Sequence, residues 1–103
     1  MKVLATPDFM EDIEDELDDL AFWELQDYVL DDPERGKLIP GSGGLRKLRW
    51  RIQGRGKRGG LRVIYYYRTG DLIVFLAAYR KSEKENLSQG EIKELRREIE
   101  EAT

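Results

Sequence analysis

Two apolar runs separated by a three-residue turn limit what this chain can fold into more than any other feature. Residues 61–68 read Leu-Arg-Val-Ile-Tyr-Tyr-Tyr-Arg, and residues 72–79 read Leu-Ile-Val-Phe-Leu-Ala-Ala-Tyr. Both are rich in the β-branched and aromatic side chains that suit a pleated, half-buried surface. Thr69, Gly70 and Asp71 between them supply a tight turn, so the spacing predicts an antiparallel hairpin. A third strand precedes it. From Leu48 the sequence alternates, placing Leu48, Trp50 and Ile52 on one face and Lys47, Arg49 and Arg51 on the other. Lys2, Val3, Leu4 and Ala5 read as a short first strand.

Helical signals occupy the two ends. Thr6 is a plausible N-cap and Pro7 suits the first helical position, with Asp8, Glu11 and Asp12 at the positive end. Phe9, Ile13, Leu17 and Leu20 fall on one helical stripe. A second stripe, Phe22, Leu25 and Val29, runs to Asp31, Asp32 and Pro33, where proline discourages continuation. These segments read as a helical hairpin or one bent helix. Ser88 and Glu91 have capping-box spacing, and Ile92, Leu95, Ile99 and Ala102 mark a last amphipathic helix. Residues 35–44 form a turn-rich connector, and residues 53–60 a loop of glycine and arginine. The expectation is one α/β domain of the α+β kind spanning residues 1–103. It has a mostly antiparallel sheet of about four strands, packed by two N-terminal helices, with a C-terminal helix.

Composition narrows the chemistry. The chain has no cysteine, which removes disulfides and thiolate metal sites and suits a reducing, cytoplasmic setting. It has no histidine either, so a histidine base, a Ser-His pair and nearly all zinc chemistry are excluded. No metal or cofactor is expected. No apolar run reaches the roughly 20 residues of a membrane helix, and the N-terminus lacks a signal-peptide core. The net charge of -3 hides strong sorting. Residues 1–36 carry 2 basic and 13 acidic side chains, whereas residues 37–81 carry 12 basic and only Asp71 as an acid. The middle block is therefore a basic binding surface in an acidic protein.

Aromatics and glycines interleaved with that basic block point to nucleic acid. The loop holding Arg55, Lys57 and Arg58 lacks the Walker A spacing, because Arg58 follows Gly56 and Lys57 where Ser or Thr is required. It reads as a cationic loop touching a polyanion. Lys47, Arg49 and Arg51 share a strand face, and arginine's planar fork suits phosphate oxygens. About five such contacts to a single strand give a log–log salt slope of roughly -3.5. Arg62, inside an apolar strand, must face solvent, an acid or a ligand phosphate. Alternation pairs Tyr66 with Arg62 and Arg68 on one face, and leaves open which of Tyr65, Tyr66, Tyr67 and Tyr79 are core. RNA can be cut without histidine or metal when a Lys or Tyr moves protons and arginines hold the phosphate. Cationic neighbours such as Arg80 and Arg62 would lower the pKa of Lys81, the direction a base requires.

The run Leu38-Ile39-Pro40-Gly41-Ser42-Gly43-Gly44-Leu45-Arg46-Lys47-Leu48-Arg49-Trp50 resembles the HigB-type branch of the RelE/ParE toxin superfamily. So do Gly56-Lys57-Arg58-Gly59-Gly60-Leu61-Arg62-Val63-Ile64-Tyr65-Tyr66 and the closing Tyr79-Arg80-Lys81-Ser82-Glu83-Lys84-Glu85-Asn86-Leu87-Ser88. The resemblance implies a RelE-like fold and a type II toxin, an mRNA endoribonuclease acting in the ribosomal A site. It also implies a cognate, HigA-like antitoxin as partner. By the same resemblance Arg62 matches the arginine that stabilises the phosphate, Lys81 a catalytic basic residue after the last strand, and Lys47 and Arg49 the basic residues of the preceding strand. Where RelE has a functional tyrosine past the last strand, this chain has Leu87, which leaves the base or stacking role with Tyr79 or Lys81. The competing readings are a non-enzymatic RNA-binding module and a ParE-like gyrase inhibitor, since one fold hosts several activities.

Overall fold

The computed structural model describes residues 1–52 and 60–103. Its elements run β1 (Lys2–Ala5), α1 (Pro7–Ile13), α2 (Asp19–Asp31), β2 (Lys37–Leu38), β3 (Leu45–Arg51), β4 (Gly60–Arg68), β5 (Leu72–Arg80) and α3 (Gln89–Ala102). The strands form one sheet in the order β1-β5-β4-β3-β2, with β1 parallel to β5 and every other pair antiparallel. Five strands stand where about four were expected. The extra one, β2, lies in the stretch read as a connector, because Lys37 and Leu38 pair back onto Lys47 and Arg46. Its return is held by the Ser42 hydroxyl, which donates to Ile39 O (2.6 Å) and accepts from Leu45 N (3.1 Å). Gly43 sits at φ +72°, and a Cβ there would strike the Arg96 guanidinium, whose Nη1 donates to both Ser42 O and Gly43 O at 2.9 Å.

Both sheet faces are covered, which is why the central strands read as continuous apolar runs. One face carries Leu48, Leu61, Val63, Tyr65, Ile73 and Phe75 against Phe9 and Ile13 of α1 and Leu25 and Val29 of α2. The Phe9 ring stands 5.3 Å from that of Phe75 and 5.9 Å from that of Phe22, which anchors both N-terminal helices to β5. The opposite face carries Leu45, Ile64, Leu72, Val74, Leu76 and Tyr79 against Ile92, Leu95 and Ile99 of α3. Fully burying each such aliphatic or aromatic side chain stabilises the fold by about 1.5–3 kcal/mol before entropy is subtracted.

The helix ends follow the sequence. Thr6 caps α1 by accepting from Phe9 N (3.1 Å), with Pro7 at the first position. Ser88 and Glu91 form a complete capping box on α3. Leu20 departs from expectation. Helix α1 ends at Ile13 with Leu17 still in the core, Asp18 starts a new helix by accepting from Ala21 N (2.8 Å), and Leu20 is left 68% exposed.

Strand β5 contains a one-residue irregularity that sets the site. Ile64 pairs with Ala77 and Tyr65 with Phe75, so Leu76 is an extra residue opposite nothing. Helix α1 satisfies the disturbed backbone. The Thr6 hydroxyl donates to Leu76 O (3.3 Å), and Asp12 Oδ2 accepts from Ala78 N (3.0 Å). Replacing Asp12 with Ala leaves that amide unpaired and is expected to destabilise the fold by about 1 kcal/mol, whereas Asp12→Asn keeps an acceptor and loses less. Urea unfolding of the two variants checks this.

Glu98 on α3 meets Asp8 on α1 around the sheet edge. Burial first, and the Asp8 carboxyl second, push the Glu98 carboxyl from 4.5 up to about 7. The folded state therefore binds more protons than the unfolded one across that interval, and this group's contribution to stability falls as pH rises from 4.5 to about 7. Glu98→Gln is expected to raise the melting temperature relative to the parent increasingly from about pH 5 to about pH 8, read by thermal unfolding in a pH series.

Candidate nucleic-acid interface

The bulge at Leu76 reverses the alternation of β5. Without it Tyr79 would share the face of Phe75 and point into the α1–α2 layer; with it, Tyr79 joins the cluster on the α3 face. There it lies in register with Arg62, and Arg62 in register with Arg49. Three residues singled out in the sequence thus form one row across β3, β4 and β5. The next row outward holds Arg51 opposite Gly60, and Lys81 N donates to Gly60 O at 3.4 Å. The next row inward holds Lys47 opposite Ile64.

Arg62 is the unusual member. It is 5% exposed, and its Nε has no hydrogen-bond partner among the described residues. No carboxylate among them pairs with it, and residues 53–59 contain no acid. Burying an unpaired cation costs several kcal/mol. Its cross-strand neighbour Arg49 carries the same charge, an arrangement that is itself destabilising. An anion in front of the row reverses both penalties, and a phosphate fits the guanidinium fork.

Tyr79 is also buried, and its hydroxyl has no partner among the described residues. Burial pushes its phenol above the usual tyrosine range, while the cations of Lys84 and Arg62 pull it back. The Lys84 ammonium lies over the Tyr79 ring, 5.0 Å from its centroid, and is ion-paired to Glu91. Lys84 did not stand out in the sequence, because a lysine among glutamates reads as a solvated turn, and Glu91 stood out only as the capping-box partner of Ser88. Lys47 is tethered, donating to Asn86 Oδ1 at 3.0 Å, while Arg49, Arg51 and Lys81 are exposed.

Two expectations change. Tyr66 shares the face of Arg62, as alternation implied, but lies two rows away with Ile64 between them, roughly 13 Å along the strand. It packs beside Gly44 rather than joining the row. Arg80, expected beside Lys81, turns to the opposite face, where its guanidinium pairs with Glu16 at 2.6 Å. Tyr65 is core, donating to Pro33 O and accepting from Gly36 N, both at 2.8 Å. Arg55, Lys57 and Arg58 lie outside the described residues. Among the described residues no group of three or more Asp or Glu is placed to hold a metal ion, and no helix is long and apolar enough to cross a membrane.

A sheet with two N-terminal helices on one face, one C-terminal helix on the other and a basic row beside it is compatible with a RelE-like fold. Residues 24–102 match the model of the family described as the RelE toxin of the RelE/RelB toxin–antitoxin system. The chain belongs to the RelE toxin family. Membership gives it the toxin role in a toxin–antitoxin pair, with an antitoxin as partner. Toxins of this family are generally endoribonucleases. The match includes every residue of the Arg49, Arg62 and Tyr79 row and omits β1 and α1.

Removing the buried charge of Arg62 has a measurable consequence. Arg62→Met, of similar length and without the charge, is expected to raise stability by about 1 kcal/mol or more. Chemical denaturation of the variant beside the parent tests it, and a loss of stability would show that the guanidinium has a structural partner.

Proposed function

We propose that this RelE-family chain is a ribosome-dependent mRNA endoribonuclease of the HigB-type branch, working in the cytoplasm and silenced by a HigA-like antitoxin. The observation that carries the reading is the buried, carboxylate-free Arg62 in register between Arg49 and Tyr79. Single-stranded mRNA lies along the exposed basic edge, its phosphates met by Lys47, Arg49 and Arg51 and by Arg55, Lys57 and Arg58 of the loop. Tyr66 stacks a more distant base.

The chemistry requires no metal or cofactor. Lys81 takes the proton of the 2′-hydroxyl, and the freed oxygen attacks the adjacent phosphorus. Arg62, with Arg49, holds the extra negative charge of the pentacovalent phosphate by charge-assisted hydrogen bonds. The bond to the 5′-oxygen breaks, and Tyr79, kept neutral by burial, gives that oxygen its proton. The products are a 2′,3′-cyclic phosphate and a 5′-hydroxyl end.

Induced expression in bacteria tests this, wild type beside Arg62→Ala/Lys81→Ala, with growth followed and mRNA 5′ ends mapped. The expected result is growth arrest with codon-phased cuts in translated messages, reduced at least about 100-fold in the double variant. Arrest with intact mRNA would move the reading to a ParE-like gyrase inhibitor. No arrest, with RNA binding that falls on a log–log salt slope near roughly -3.5, would leave a binding module.

A further inference from the structure

Lys84 has no assigned part in the chemistry, yet its surroundings single it out. It sits in the segment joining β5 to α3, half-buried, with its ammonium over the face of the Tyr79 ring at 5.0 Å. A cation in that position is attracted by the ring's negative face. It does not rest there by chance of a flexible arm, because Glu91 pairs with it. Glu91 is itself fixed, since its other carboxylate oxygen accepts from Ser88 N (2.9 Å) in the α3 capping box. The chain of contacts therefore runs from the start of α3, through Glu91 and Lys84, to the one phenol that stands in register with Arg62.

Tyr79 needs such support. Its hydroxyl makes no hydrogen bond among the described residues, so none of their donors or acceptors orients it. What holds the ring is packing on the α3 face and the ammonium above it. A cavity of about 370 Å³ beside it is lined by carboxylates of α1 and α3, including Asp12, Glu91 and Glu98, with Lys84 the one lysine on its wall. In so acidic a setting a nearby cation is what keeps a phenol able to release its proton.

We infer that Lys84 is a positioning residue for Tyr79: pinned by Glu91, it lays its charge on the phenol ring and makes Tyr79 the proton donor of the site. This rests on the nuclease reading above for its role in cleavage, but the contact between Lys84 and Tyr79 is independent of that reading. The charged groups acting on Tyr79 include Arg62 from β4, Lys84 and Glu85 from the connecting segment and Glu91 from α3. The cavity wall adds Glu83 of that segment and carboxylates of α1 and α3, Asp12 and Glu98 among them. Of the two cations, Lys84 opposes the effect of burial on the phenol more than Arg62 does.

The test follows Tyr79 ionisation in the full chain by ultraviolet difference titration. Each protein is read against its own Tyr79→Phe partner, so that the other four tyrosines cancel. Lys84→Met is expected to move the Tyr79 transition to higher pH, and Lys84→Arg to restore most of it. Thermal unfolding should hardly change, because half-exposed ion pairs contribute little to stability. In the cleavage assay K84M is expected to slow cutting by about 10-fold or more at neutral pH, with K84R partly rescuing it. A Tyr79 transition in K84M identical to wild type would overturn the inference. So would a K84R protein as impaired as K84M. If the wild-type chain cuts no RNA while K84M still shifts the Tyr79 transition, the nuclease reading fails and the positioning of Tyr79 by Lys84 stands.

Discussion

The placement of Leu76 decides which residues meet on the α3 face. Side chains on a strand alternate with period two, so one extra residue exchanges every later side chain between faces. In β5 the exchange happens between Phe75 and Ala77. It sends Ala78 into the α1–α2 core and Tyr79 to the side of Arg62 and Arg49. A bulge leaves backbone groups out of the ladder, and such groups are costly unless paired. Thr6 and Asp12 pair them from the two ends of α1's first turns, so the short helix does more than cover the sheet. It stabilises the offset that assembles the row.

Charge sorting along the sequence becomes sorting between faces. The acids of residues 8–32 sit on α1, α2 and their junction, against one face of the sheet, while Arg49, Arg51 and Arg62 belong to the other. At physiological salt the screening length is about 8 Å, so charges on opposite sides of a sheet feel each other weakly. The acidic layer therefore neutralises the protein as a whole without neutralising its basic row. Arg80 is the contact that crosses this division, and it does so at the strand end by pairing with Glu16. The consequence is a chain with a sequence pI near 5 whose sheet holds a buried guanidinium, that of Arg62, with no carboxylate partner among the described residues.

Much of this frame was legible in the residues. The hairpin of β4 and β5, the alternation of β3, the Thr6 and Ser88 caps and the anomaly of a charged Arg62 inside an apolar strand all follow from local pattern. Each depends on neighbours in sequence, which is where pattern carries information. The bulge does not, because Phe75, Leu76, Ala77 and Ala78 are all apolar and any of them tolerates either face of a sheet covered on both sides. The same reason left the tyrosines unassigned, and it misplaced Arg80, whose face is fixed only once the offset is known. Leu20 failed for a different cause: Asp18 captures Ala21 N and starts a helix in a new phase. Lys84 was invisible because its two partners, Tyr79 and Glu91, lie five and seven residues away across a turn that no periodicity describes.

The segment that completes the site, residues 81–88, contains neither glycine nor proline and little regular structure, so side chains hold it in place. Leu87 packs into the α3 core, Lys47 reaches across from β3 to Asn86, and Lys84 is caught between Tyr79 and Glu91. Two of these three tethers are ionic or polar and partly exposed, each worth about 1 kcal/mol or less. Catalytic groups gain from being held before the substrate arrives, but a site gripping a long polyanion must also let it in and out. A segment fastened by an apolar anchor and several weak polar links satisfies both demands. Its core end is fixed, while in the proposed nuclease its cationic end would exchange a glutamate or an asparagine for a phosphate at small cost. Arg62 has no carboxylate among the described residues to exchange, so in the proposed nuclease the pull on an incoming phosphate comes from a position that backbone register, and not a flexible tether, sets.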